Sequence, residues 1–376
     1  MNLLELRDEL DVVDRQMTAL YEKRMALCEE VARDKIRTGK QVLDPERERQ
    51  KLDAVASFVH SDFDKKGVRE LYSQLMTLSR RRQLEILQES GRCIDLGFKQ
   101  VPAMDFAGKR VVYQGVEGAY AHIAARKSFS ADSVFFNVKT WHDAMEVVEK
   151  GEADYAVLPI ENSSHGAVTD NFDLLLRYPD CAIVGETDLL IRHALLGISG
   201  AEPGEIRRVY SHAQAIGQCS AFFEAHPEIE AVPVLNTALA AKQVAESGDR
   251  TAAALASEEA AELYGLEVLQ RGVNVQKQNT TRFLIVGKEK LYSAQASKIS
   301  ICFETSHQPG ALYNALGNFI FNSVNMLMIQ SRPIPERNFE YRFFVDVEGS
   351  LSDPNVINAL NGLTDQAAAL RVLGCY

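Results

Sequence analysis

Apolar residues recur at Leu3, Leu6, Leu10, Val13, Met17, Leu20, Leu27 and Val31, in steps of three and four that mark one face of a long helix. The position this seam reaches between Leu20 and Leu27 holds Arg24, Lys35 continues the line past Val31, and Arg7 borders its start. A cation on an apolar stripe is costly unless an anion meets it. Past Gly39, Asp44 is a good N-cap and Pro45 suits a first helical turn, so a second helix begins there. Its dry stripe of Leu52, Val55 and Val59 projects back onto Glu48, with Arg47 adjacent. A third helix turns Val68, Leu71, Leu75 and either Leu78 or Ser79 inward and carries the stripe on to Gln83. Hydrogen-bonding groups interrupt all three apolar faces. That suits either ion pairs buried inside a bundle or a lined pocket for a polyanion.

From residue 109 the period changes. Short apolar runs at 110–113, 134–136, 155–158 and 182–184 read as strands, with helical stretches from Ala121 and over 141–150 between them. A second set lies at 208–210, 232–234 and 252–255, with helices from Ala213, Thr237 and Ser257. Such alternation favours two α/β lobes built on parallel-rich sheets. The polar segment Gln278-Asn279-Thr280-Thr281-Arg282 then opens the run Phe283-Leu284-Ile285-Val286, which stops at Gly287 and returns the chain to the first lobe. Strand-to-helix turns at 115–120, 161–166, 211–214 and 236–237 put small or hydroxyl-bearing residues at helix N-termini. Free N–H groups there either cap locally or, facing one cleft, attract a carboxylate. Gly115-Val116-Glu117-Gly118 lacks the third glycine of a dinucleotide fingerprint. Residues 91–108 show no sustained period and read as a connection, with Cys93 and Phe98 packing on a neighbour. Residues 298–376 run strand, helix, strand, strand, helix, strand, the split ferredoxin-like βαββαβ order.

Composition then removes function classes. A net charge of −11 supplies no basic field for nucleic acid or an anionic membrane. No run approaches the roughly 18 to 20 apolar residues of a spanning helix, and Glu5 is acidic too early for a secretory signal, so a cytoplasmic protein is expected. The six cysteines form no CxxC pair and have no histidine spacing suited to zinc. They read as reduced thiols in a protein without a metal.

The spacing of Arg7, Arg24, Lys35, Asp44, Arg47, Glu48, Ser79 and Gln83 resembles the all-helical chorismate mutase family over residues 1–90. That resemblance implies a three-helix unit in an intertwined homodimer, the long first helix of one subunit reaching the other's pocket. It also implies conversion of chorismate to prephenate. A pericyclic rearrangement needs no cofactor; it needs the chair-like conformer held and developing charge on the ether oxygen stabilised. By family role Arg7, Arg24 and Arg47 engage the two carboxylates, Lys35 and Gln83 the ether oxygen, and Glu48 the substrate hydroxyl.

Residues 109–287 resemble prephenate dehydratase through Gly115-Val116-Glu117-Gly118-Ala119-Tyr120, Pro159-Ile160-Glu161-Asn162-Ser163-Ser164, Ser211-His212-Ala213-Gln214 and Asn279-Thr280-Thr281-Arg282-Phe283. Ala213 stands where proline is common, and His165 where a small residue is usual. The implied fold is bilobal and periplasmic-binding-protein-like, with prephenate in the interlobe cleft losing water and carbon dioxide to give phenylpyruvate. The resemblance makes Thr281 a proton donor or an orienter of the leaving hydroxyl. It makes Asn162, Ser163, Ser211 and Gln218 substrate-binding groups, and Arg282 a carboxylate partner or a strand anchor. Thr281 is expected to face Asn162 and Ser211 across the cleft.

Pro309-Gly310-Ala311-Leu312 and Gln330-Ser331-Arg332-Pro333 resemble the phenylalanine-binding motifs of the ACT domain, although the second usually begins with glutamate. This resemblance implies L-phenylalanine as allosteric effector, bound through Gly310, Ala311, Leu312, Ser331 and Arg332. Modules would pair within a dimer, or within a tetramer built from two dimers, and inhibition would pull on Thr281 through residues 287–297. The whole then reads as a bifunctional enzyme of phenylalanine biosynthesis. The competing readings are a ligand-binding sensor for the two lobes and a dimerisation cap without effector for the tail.

Overall fold

A computed structural model describes residues 2–40, 42–91, 96–276 and 278–376. Its first unit is three helices, α1 (Leu3–Thr38), α2 (Pro45–Ala56) and α3 (Asp62–Glu89). Asn2 and Glu5 form a capping box at the start of α1, and Gly39 ends it with φ 74°, a left-handed turn that glycine adopts without strain. Asp44 caps α2, its carboxylate accepting from the Arg47 N–H at 3.0 Å. α3 is the hub, packed against both α1 and α2.

The apolar seam of α1 lies bare along its first half. Leu3, Leu10 and Leu20 are 64%, 60% and 65% exposed. α3 buries Met76, Ser79, Gln83 and Leu84. Leu71, expected inward, is 44% exposed.

The connection after α3 carries a strand the sequence pattern did not announce. β1 (Lys99–Val101) pairs in parallel with a distant strand that begins at Leu291. Phe98 packs on the C-terminal core, while Phe106 sets its ring edge-on to Phe129 and Tyr155 in the first lobe. Cys93 lies outside the described residues.

The first lobe contains β2 (Arg110–Gln114), α4 (Tyr120–Ser128), β3 (Val134–Val138), α5 (Trp141–Glu149), β4 (Tyr155–Asn162), β5 (Gly166–Ala167), α6 (Thr169–Arg177) and β6 (Ala182–Leu190). The second contains β7 (Ala194–Gly197), β8 (Arg208–His212), α7 (Ala213–Gln218), α8 (Ser220–Ala225), β9 (Glu230–Val234), α9 (Thr237–Ser247), β10 (Ala252–Ala256), α10 (Glu258–Tyr264) and β11 (Glu267–Gln270). Its strand order is β11-β7-β10-β8-β9. β10 is buried at every position, as a strand flanked on both edges and covered on both faces must be. β12 (Thr280–Gly287) then re-enters the first lobe between β4 and β6, antiparallel to both.

After β13 (Leu291–Ser293) come β14 (Lys298–Glu304), α11 (Ala311–Phe321), β15 (Met326–Pro333), β16 (Tyr341–Glu348), α12 (Pro354–Gln366) and β17 (Ala369–Cys375). This module is not a pendant. β17 joins β6 in parallel where Gly374 meets Ile183, so one sheet runs β15-β16-β14-β17-β6-β12-β4-β2-β3. A Cβ on Gly374 would stand 2.2 Å from the Ile183 carbonyl oxygen, and only glycine permits that seam. Cys302, Phe344 and Leu373 share a core with Leu158, Ile160 and Phe172 of the first lobe. α12 also packs on α3, which ties the module to the helical unit.

Candidate active sites

β12 carries Thr281 to the mouth of the interlobe cleft, in register with Asn162 at the end of β4. The two are therefore sheet neighbours, and do not face each other across the cleft as the sequence suggested. The buried Asn162 amide is fully engaged. Its Nδ2 donates to Asn279 Oδ1 at 2.8 Å and to Thr281 Oγ1 at 2.9 Å, and its Oδ1 accepts from the N–H groups of Ser164 and His165 at 3.0 and 3.1 Å. Because Thr281 Oγ1 already accepts, its own hydrogen is the part of the hydroxyl left to donate elsewhere.

The cavity beside Thr281 has a volume of about 500 Å³. Pro159, Val168, Ile191, Leu235 and Phe283 give it apolar walls, while Asn162, Thr281, Gln114, Gln214, Gln218 and Asn236 supply polar groups. Among its described lining residues there is no lysine or arginine. An anion would have to be met by amides and helix N-termini. α9 is capped by Asn236, whose Oδ1 accepts from the Leu239 N–H at 2.7 Å. α4 has no side-chain cap, so its first-turn N–H groups remain for a ligand at the Tyr120 end of the cavity.

Other residues singled out from sequence have structural duties. Ser211 is completely buried and donates to the Leu255 carbonyl at 2.7 Å, locking β8 to β10. Ser163 accepts from the Thr280 N–H at 2.9 Å and donates to the Gln278 carbonyl at 3.2 Å. Both hold the walls and line no part of the cavity. Arg282 points away from the cleft, because alternate residues of a strand face opposite sides. Its Nε donates to Glu186 at 2.7 Å, and its Nη2 donates to Asp346 at 2.6 Å and to the Tyr376 hydroxyl at 3.0 Å. Of its two sequence roles, the strand anchor fits and the carboxylate partner does not. Burial works against its charge, yet Tyr376, Asp346 and Glu186 together raise its pKa above the ordinary arginine value. Arg282→Ala leaves the nearly inaccessible Asp346 carboxylate without its cation, while Glu186 keeps Lys298. We expect a loss of about 3 kcal/mol or more, read as a lower denaturation midpoint, and a smaller loss for Arg282→Lys.

Sequence reasoning missed His193. It is buried at the lobe crossover, with Nε2 2.8 Å from Gln218 Oε1 and Nδ1 2.9 Å from the Tyr120 hydroxyl. Burial lowers its pKa, opposed by the bond to Gln218. The one signal was a polar pair, Arg192-His193, interrupting the run Ile191 to Leu196. Gln218 lines the cavity as expected and also stands 3.3 Å from His165 Nδ1.

In the helical unit, Arg24 crosses from α1 to α3, donating to the Leu75 carbonyl at 3.1 Å and to Ser79 Oγ. Lys35 Nζ donates to the Val42 carbonyl at 2.6 Å. Glu48 pairs with Arg80, and the buried Gln83 has an Oε1 with no partner. Arg47 is exposed, and Asp44 is spent on the α2 cap. Arg7 lies about 25 Å up the same helix from Arg24, at roughly 1.5 Å per residue. It cannot share a pocket with Arg24 of its own chain.

In the C-terminal module Gly310 adopts φ 79° at the start of α11, with Ala311 and Leu312 next in the first turn. Ser331 and Arg332 lie on β15, the outer edge of the long sheet. Arg332 is paired with Asp173 of α6.

Residues 111–291 match the family model of prephenate dehydratase, and residues 6–84 that of chorismate mutase type II. The chain is 35% identical over 383 residues to the bifunctional chorismate mutase/prephenate dehydratase of Enterobacter agglomerans, with 100% of this chain and 95% of that one covered. Prephenate dehydratase from Arthrobacter aurescens, solved in complex with L-Phe, aligns at a TM-score of 0.66 and 30% identity, covering 71% of this chain and 89% of that chain. GqqA, described as a novel type of quorum quenching acylase, aligns at 0.65 and 33% identity, covering 71% and 97%.

Proposed function

The chain belongs to the bifunctional chorismate mutase/prephenate dehydratase family, and from that premise we propose which of its residues carry the two reactions and how the second is regulated. It converts chorismate to prephenate and prephenate to phenylpyruvate, in phenylalanine biosynthesis.

Prephenate occupies the 500 Å³ cleft, with a carboxylate at the uncapped N-terminus of α4 and its ring hydroxyl against Thr281. The bond from Asn162 Nδ2 to Thr281 Oγ1 carries this reading, since it leaves the threonine hydrogen for the departing oxygen. The ring C–O bond breaks as the bond to the ring carboxylate gives up its electron pair, the ring becomes aromatic, carbon dioxide leaves, and the departing oxygen takes up one proton, from Thr281 or from solvent, to leave as water. A threonine is a weak acid, so it serves either by orienting the leaving oxygen or by passing its proton only as the C–O bond breaks. Gln218 completes the polar contacts, Asn162 acts by holding Thr281, and Ser163, Ser211 and Arg282 are framework.

The mutase site is Arg24, Lys35, Arg47, Glu48, Ser79 and Gln83, with Asp44 holding the start of α2 and Arg7 supplied by a second copy. The bare seam of α1 and the distance from Arg7 to Arg24 both support an intertwined dimer. Chorismate is held by its carboxylates, Lys35 and Gln83 meet the ether oxygen, and no proton or metal enters the reaction.

The domains run 1–90, 91–108 as connection, 109–287, and 298–376 as an ACT module. L-phenylalanine binds that module at Gly310, Ala311, Leu312 and Ser331 and lowers dehydratase turnover. Arg332, held by Asp173, transmits the change to α6. No described helix is long and apolar enough to cross a membrane.

With chorismate as sole substrate, phenylpyruvate should accumulate and be detected by its absorbance in alkali. Added L-phenylalanine should slow its formation in the wild type and much less in Gly310→Val. Chorismate bound but unchanged would refute the enzymatic reading, and equal inhibition of both proteins would refute the effector site.

A further inference from the structure

Ser79 and Gln83 of α3 bracket three arginines that the mutase reading leaves unused, and the most buried of them is Arg80. Its side chain is 12% exposed, close to fully buried for an arginine. One guanidinium nitrogen, Nη1, clasps the Glu48 carboxylate on the first turn of α2. The other, Nη2, donates to Thr77 Oγ1 at 2.9 Å. Gln366 Oε1 accepts from Asn318 Nδ2 at 3.1 Å in one orientation of its amide; in the other, its oxygen accepts from Arg80 Nη2 at 3.2 Å and its nitrogen donates to the Asn314 carbonyl at 3.1 Å, in exchange for the Asn318 bond. Gln366 is the last residue of α12 and Asn314 lies on α11.

The seam between α3 and these two helices sets Leu78, Leu84 and Phe321 beside a run of polar side chains. A cavity of about 20 Å³, room for about one water, is lined by Arg80, Thr77, Asn322, Asn358 and Gln366. The side-chain oxygens of Asn322 and Asn358 are buried there without a protein partner. A seam made only to hold two domains together would be stabilised better by apolar contacts, because each buried amide costs free energy unless satisfied.

We propose that Arg80 is a positioning residue for the mutase reaction, fixing the Glu48 carboxylate from α3, and that its second hold on Gln366 lets the C-terminal module alter the mutase rate. A half-buried carboxylate gripped on one side presents its remaining lone pairs in one direction, toward a substrate hydroxyl. A shift of α12 displaces Gln366, then the guanidinium, then Glu48. This inference rests on the reading of Glu48 as a substrate-contacting group.

The test uses the full-length protein, with turnover of supplied prephenate as the internal measure of folding. Arg80→Gln should lower mutase kcat by about tenfold with a smaller change in KM, and Arg80→Lys should recover part of the loss. Gln366→Ala should reduce the response of the mutase to added L-phenylalanine while that of the dehydratase stays as in the wild type. Glu48→Gln separates the two levels. A silent Glu48→Gln refutes the Glu48 reading itself, whereas a crippled Glu48→Gln beside a silent Arg80→Gln refutes only the positioning role. A mutase response to phenylalanine that is absent in the wild type, or intact in Gln366→Ala, overturns the link to the module.

Discussion

Thr281→Ala is expected to slow dehydration of supplied prephenate by about a hundredfold or more, with chorismate still turned into prephenate at the normal rate. The fold should survive. Thr281 is partly exposed at the mouth of β12, and the strand is held by backbone pairing to β4 and β6 on both sides. The substitution removes the hydroxyl whose oxygen is fixed by Asn162 and whose hydrogen, on the proposed mechanism, meets the leaving group. Thr281→Ser keeps that hydroxyl, loses only the methyl that restrains its rotamer, and should retain much of the rate. A Thr281→Ala protein with near-normal phenylpyruvate formation would sink the assignment.

Arg24→Ala should abolish prephenate formation from chorismate while supplied prephenate is dehydrated as before. Arg24 joins α1 to α3 through Leu75 and Ser79, at the point where the long helix brings a cation onto Ser79. Removing it unties Ser79 and, on the proposed roles, takes away a carboxylate partner, two losses in one pocket. The dehydratase cleft shares no residue with that pocket, so the effects should separate cleanly. Loss of both activities would argue for one shared site.

Deleting the C-terminal module is a poor way to test regulation in this molecule. Truncation after Gly287 would strip β17 from β6, remove Asp346 and Tyr376 from Arg282, and open the core that Phe344 shares with Phe172. The route from effector to catalyst is correspondingly short. Arg282 is the residue after Thr281, and its guanidinium is held by β16 and the chain end, not by the segment 287–297 that the sequence suggested.

Whatever a local period or a contiguous motif encodes was legible in the sequence. The seam of α1, the Asp44 cap, the polar opening of β12 and the βαββαβ order all fall in this class. The illegible features depend on partners far away in the chain. Arg282 finds Asp346 and Tyr376 at separations of 64 and 94 residues, and no motif of five residues could show that its side chain faces a second module. Ser211 sits in a quoted motif, yet burial between two strands turns its hydroxyl to the Leu255 carbonyl. Gly374 gives no hint that it admits a neighbouring strand, because the need for a missing Cβ arises only when Ile183 arrives. His193 stands beside Arg192 as one of two polar residues in an apolar run, and its bonds to Tyr120 and Gln218 exist only once the lobes are assembled.

The most direct measurement mixes the two variants. Arg24→Ala and Thr281→Ala, each given chorismate alone, should form almost no phenylpyruvate, and the mixture should form it readily, because prephenate made at the intact mutase of one reaches the intact dehydratase of the other. A mixture that stays silent, with both proteins folded and each keeping its remaining activity on its own substrate, would contradict two separate sites linked by a freely passing intermediate.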